Sequence, residues 1–216
     1  MFEFVTARRW PSDAPRVSPK VFLLLGLAAF WGLLRVAVLQ QPGYELSRDT
    51  ISSLASQGAV NAWIGMLAFA MGGLGTIGLS FVLRRISQPA GLALGLAGVA
   101  LLIVGVTRIN CLDGAAGCLM RDATDAWTGR IHLAGTVLYE VAFLGSVASA
   151  ALCIWRAGSR AAPLLAMLGL LASILFFAVL PVEIGLGQRA WLLVHSVLIA
   201  GLLFVPRGDE PVIEPT

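Results

Sequence analysis

Residues 62–83 read AWIGMLAFAMGGLGTIGLSFVL, an apolar run without one charged side chain, with glycines scattered among Leu, Ile, Phe and Ala. About twenty such residues wound into an α-helix rise about 30 Å, the thickness of the hydrocarbon core of a bilayer. Hydrocarbon offers no partner to an open backbone N–H or C=O, and the run lacks the alternation of a barrel strand, so a helix is the conformation left to it. Five further runs of spanning length lie on either side, at roughly 21–40, 90–109, 131–154, 162–182 and 189–206. The composition agrees, because 58% hydrophobic and 12% charged residues fall outside the range of soluble domains. The expected fold class is therefore all-α. It is a polytopic membrane protein with a bundle of about six transmembrane helices over 21–206, a polar N-terminal segment at 1–20 and a short tail at 207–216. The first run is read as a retained helix, since a polar segment precedes it and no small-x-small cleavage site follows.

A net charge of +3 says little, but its distribution says more. With six spans, Arg8, Arg9, Arg16, Lys20, Arg84, Arg85, Arg156, Arg160 and Arg207 share one side. Arg48, Arg108, Arg121, Arg130 and Arg189 share the other. The positive-inside rule then places both termini in the cytoplasm and the longer first and third loops outside. Trp63, Trp127 and Trp191 fall near outer helix ends and Trp155 near an inner one, as interfacial indoles do. Small residues recur along the second and third runs, notably Gly72, Gly75, Gly91, Gly95 and Gly98, and predict close helix packing. No dense Lys/Arg stripe with interleaved aromatics is present, so no nucleic-acid partner is expected.

The residues able to carry chemistry concentrate in the outer connections. In the first, Ser47 reads as an N-cap and Gly58 as a stop around a short amphipathic helix at about 48–57. Its apolar stripe is Ile51, Leu54 and Ala55, and its polar face is Arg48, Asp49, Ser52 and Ser53. In the third, Cys111 and Cys118 flank Asp113 at a spacing that permits a disulfide-closed loop; a metal site would need more ligands than the loop supplies. His132 opens the fourth helix, and Glu140 follows a little over two turns deeper. An acid inside a membrane should point into the bundle, be protonated or pair with a partner, and Arg35 in the first helix is a candidate partner. His195 lies within the sixth helix. Asp113, His132 and His195 at similar depth could bind Zn, and two histidines on different helices could clamp a haem, but spacing establishes neither and no cofactor is assigned. Nucleotide-binding, metalloprotease and nucleophile-elbow motifs are absent.

The pattern Pro42-Gly43-Tyr44, Arg48-Asp49, Ile51-Ser52, Leu54, Asp113, Gly129-Arg130-Ile131-His132 and Gly187-Gln188-Arg189 resembles the bacterial and archaeal membrane family called domain of unknown function 998. The resemblance covers nearly the whole chain. It implies a six-helix protein of the bacterial inner membrane and marks Tyr44, Arg48, Ser52, Asp113, Arg130, His132, Gln188 and Arg189 as site residues. It implies no activity. Three functions follow as expectations. The first is a non-catalytic accessory subunit or lipid- or small-molecule-binding module, with membrane lipids and other membrane subunits as partners. The second is an outer-face enzyme acting on lipid, with Asp113 and His132 as metal ligands or an acid/base pair, Ser52 as a polar contact, and Tyr44, Arg48, Arg130, Gln188 and Arg189 binding. The third is a transporter resting on Arg35 and Glu140.

Overall fold

The computed structural model describes residues 19–110, 125–156, 158, 164, 166–171, 173–174 and 184–202. All regular structure among them is helical. Helix α1 spans Pro19–Gln40, a single 3-10 turn Ser52–Ala55, α2 Ala62–Leu83, α3 Gln88–Val106, α4 Trp127–Arg156 and α6 Ile184–Leu202. Between α4 and α6, residues 164–174 contain the described part of α5. The chain is a polytopic membrane protein: α1 to α4 are each long and apolar enough to cross a bilayer. Leu25, Phe81, Val141 and Val197 stand 60%, 59%, 63% and 62% exposed, which water would penalise and lipid accepts. At 30 residues, α4 is about 45 Å long, more than the hydrocarbon needs.

Helix α2 sits centrally, packed on α1 and α3, and α3 in turn packs on α4. Small residues set these distances as the sequence predicts. A Cβ on Gly98 would lie 2.8 Å from the Gly73 carbonyl, and one on Gly73 would lie 2.9 Å from the Gly98 carbonyl. The turn between α2 and α3 is closed by Ser87, whose hydroxyl accepts from the Ala90 N–H at 3.4 Å, while Arg84 and Arg85 stand exposed beside it. The core between the helices is built from Leu23, Phe30, Phe69, Leu94, Leu101 and Phe143. Trp63, Trp127 and Trp155 are exposed at helix ends, as interfacial indoles should be. Trp191 is not an anchor of this kind: it is 4% exposed, because its indole N–H finds an acceptor inside the bundle.

Candidate functional site

Residues 41–61 fold into a compact cap at one end of the bundle. The chain leaves α1 through Gly43 in the left-handed region, φ 70°, and enters α2 through Asn61, φ 52°, a residue type that tolerates it. Gln41 Oε1 accepts from the Val60 N–H at 2.7 Å, and Asn61 Nδ2 donates to Gln40 Oε1 at 2.7 Å, so the two ends are tied together. Inside the cap, Asp49 accepts from the Glu45 N–H at 2.8 Å and from Arg48 Nε at 3.2 Å. The Tyr44 hydroxyl donates to the Thr50 carbonyl at 2.8 Å, and the Ser53 hydroxyl donates to the same oxygen at 2.7 Å.

Two distant helix ends pin the cap. At the start of α6 the orphan N–H groups of Gly185 and Leu186 donate to the Ser47 carbonyl at 3.0 and 3.3 Å, an N-terminus capped by main chain rather than by a side chain. One turn on, Gln188 Oε1 accepts from the Ile51 N–H at 2.6 Å. Arg189 donates to the carbonyls of Leu46 and Asp49, each at 2.9 Å, and also to the Tyr44 hydroxyl. Gly185 is required here, since a Cβ would lie 2.6, 2.8 and 2.7 Å from the carbonyl oxygens of Leu46, Ser47 and Asp49. From the end of α3, Arg108 donates to the carbonyls of Ala55 and Ser56 at 3.2 and 2.7 Å.

Below the cap runs the seam between α4 and α6. His132 is buried and donates from Nδ1 to the Thr107 carbonyl at 2.8 Å; a carbonyl can only accept, so this nitrogen carries the proton. A cavity of about 20 Å³ lies between Ser52, His132, Thr136, Tyr139, Gln188 and Trp191, which is room for one water. Deeper, Trp191 Nε1 donates to Glu140 Oε2 at 2.9 Å, and His195 Nε2 stands 3.8 Å from the same oxygen. The His195 ring lies against Phe143 with centroids 3.8 Å apart.

The structure places Ser52, His132 and Gln188 around one small cavity and Tyr44 against Arg189 beside it. Tyr44, Gln188 and Arg189 hold the protein's own cap. Helical structure in the 48–57 segment is confined to one 3-10 turn, Ser52–Ala55. Ile51, Leu54 and Ala55 are buried as the stripe requires, yet Ser52 and Ser53 are buried too, because the segment sinks among the helix ends instead of lying on a surface. Arg48 is exposed and pairs with Asp49 and, at 3.5 Å, with Glu45. Arg130 is exposed on α4. The pairing of Arg35 with Glu140 is not found: Arg35 stands on the exposed side of α1, which packs on α2, whereas α4 packs on α3, and Glu140 takes Trp191 and His195 as neighbours. Asp113, Cys111 and Cys118 lie outside the described residues, among which no three His, Cys, Asp or Glu side chains cluster as metal ligands would. Arg108 and Trp191 were missed as site residues. Their signals were the lone cation just past an apolar run and an indole N–H that needs an acceptor once buried.

Burial raises the Tyr44 pKa above its ordinary 10.0, with Arg189 acting in the opposite sense. The folded cap thus holds the phenolic proton more tightly than the unfolded chain does. Its contribution is complete below the unfolded value and is lost as pH rises through the folded one. Thermal melting in detergent between about pH 9 and pH 11 is expected to show stability falling above about pH 10. Tyr44→Phe should make that slope shallower, and an identical slope in the variant would exclude Tyr44 as a source.

A family model described as protein of unknown function (DUF998) matches residues 6–205. Neither a curated protein nor a solved structure matches the chain.

Proposed function

We propose, for a chain that belongs to the DUF998 family of proteins of unknown function, that it is a non-catalytic integral membrane module. In this reading it holds a phospholipid against the cap-end half of α4 and serves a larger membrane assembly as an accessory subunit. The observation that carries this reading is an open groove of about 700 Å³ headed by Asp125 and Arg130 and walled by Leu133, Ala134, Val137, Leu138 and Val141. From Arg130 to Val141 the helix advances about 16 Å, close to the depth of one leaflet's hydrocarbon, so an acyl chain fits its length. The exposed guanidinium offers a planar fork of donors to a phosphate. Asp125 beside it suits an ammonium group, which favours a phosphoethanolamine-type headgroup over a purely anionic one. The charge asymmetry of the loops supports an outer-side location for this end of the bundle and its lipid.

A non-catalytic role is supported by the polar cluster beneath the cap. Its donors and acceptors are engaged with the protein's own backbone, and its cavity admits one water rather than a substrate. The test is lipid extraction and native mass spectrometry of protein purified from its own membrane in mild detergent. The expected result is a retained phospholipid that Arg130→Ala reduces about tenfold, the loss of one charge-assisted hydrogen bond. His132→Ala should keep it, together with any co-purifying subunit. Equal retention in Arg130→Ala would refute the lipid reading, and conversion of the bound lipid to a product would refute the non-catalytic one.

A further inference from the structure

Glu140 and His195 are the most deeply enclosed ionisable pair among the described residues, and their arrangement is incomplete. Glu140 is 8% exposed and His195 0%. Glu140 Oε1, His195 Nδ1 and His195 Nε2 are buried and have no hydrogen-bond partner. Buried polar atoms in native proteins are nearly always satisfied, so three orphans at adjoining side chains call for an explanation. At 3.8 Å, Glu140 Oε2 and His195 Nε2 are beyond a hydrogen bond yet too close for a water to lie comfortably in line between them. A small side-chain rotation closes that gap. Two basic sites separated by a distance that one rotation spans can hold one proton between them.

Among the described residues, the surroundings of the pair are mostly apolar. Phe69 of α2, Leu101 and Val104 of α3 and Phe143 of α4 make the seam apolar; among the described residues of α5, Ser173 is the polar side chain beside Glu140, and its hydroxyl donates at 3.2 Å to the Gly169 carbonyl of its own helix. From α1, Trp31 reaches across to Ser196 at 3.2 Å and not to the pair. The titratable groups facing the seam among the described residues are Tyr139, His132 and the pair itself. Trp191 is shared between the two levels: it lines the one-water cavity and donates to Glu140, so a single indole separates the pair from the nearest internal space toward the cap. By helical rise, Glu140 lies about 20 Å from the start of α4 and His195 about 16 Å from the start of α6, which places the pair near the middle of the membrane.

We infer that Glu140 and His195 form a proton-binding pair in the interior of the bundle. On loading, a proton from water adds to the carboxylate–imidazole pair, taking a lone pair on Glu140 or on His195; on unloading it returns to water, and no other bond changes. The site is separate from the groove at Arg130 and does not depend on a lipid being bound there.

Infrared difference spectroscopy of the full chain in phosphatidylcholine vesicles, titrated between about pH 4 and pH 10, reads this directly. A deuterium-sensitive carboxyl band should appear and disappear with pH, vanish in Glu140→Gln, and shift its midpoint by about one pH unit or more in His195→Gln. Trp191→Phe keeps both members of the pair and deletes the indole donor. It should move the same midpoint, and it replaces Glu140→Gln if that variant fails to fold. The inference is overturned if subtracting the Glu140→Gln spectrum reveals no titrating band, or if His195→Gln or Trp191→Phe titrates as wild type does. A merely structural pair would give these null results while still altering the melting temperature.

Discussion

Arg189→Ala is expected to release the cap from α6 and to cost about 3 kcal/mol of stability. One nitrogen of the guanidinium donates to three carbonyls, those of Leu46, Asp49 and Gly185, and the other donates to the Tyr44 hydroxyl. Truncation removes all four bonds; the Asp49 carbonyl keeps the Tyr44 hydroxyl as a donor at 3.1 Å, and each part-buried acceptor that loses its donor costs up to about 1–3 kcal/mol where burial is complete. Part of the group is exposed, so the sum is held to the lower end. Lysine should rescue little, because a point charge on a flexible stem cannot address both branches of a fork. The measurement is hydrogen exchange over residues 41–61 beside thermal melting in detergent. Faster exchange confined to the cap with a lowered melting temperature is the expected outcome, and unchanged exchange would show that Gln188 and Arg108 suffice.

The other large effect lies at the opposite kind of contact, where no side-chain hydrogen bond is involved. Gly98→Val should separate α2 from α3 and cost at least ~3 kcal/mol, at the upper end of overpacking penalties. The first atom added would sit 2.7 Å from Ile77 Cγ1, 2.8 Å from the Gly73 carbonyl and 3.0 Å from the Ile77 nitrogen. Two of these are main chain and cannot rotate away, so the helices themselves must move. Gly32→Val is the matched control: it adds the same side chain to a helix at a place where nothing lies within 4 Å. Yield of folded protein and melting temperature should fall sharply in the first and stay near wild type in the second. Equal losses would show that valine in a membrane helix, and not the close approach, is responsible.

The helices were legible because the bilayer's demand on the backbone leaves one conformation for a long apolar run, and the α2–α3 packing was legible because glycine has few other uses there. The cap was not legible in the same way. Ile51, Leu54 and Ala55 announced a buried stripe, but nothing local told that Ser52 and Ser53 would be buried with them. That depends on Arg108 and Arg189 arriving from other helices to satisfy the carbonyls of residues 46–56. Gln188 and Arg189 looked like ligand contacts, and side-chain bonds to a distant main chain leave no periodic trace. Glu140 was marked as an acid needing protonation or a partner. Choosing Arg35 followed opposite charge and depth, whereas the packing order put Trp191 and His195 beside it.

The side-chain bonds from α6 to the cap join residues 137 to 145 positions apart, so the segment after the first helix is completed by the last. Chains enter the membrane from the N-terminus onward. During synthesis the cap therefore waits, its carbonyls still hydrated, until α6 is inserted and its opening turn arrives. The clasp marks the end of assembly, and a nascent protein cut short before residue 184 has its lid still open.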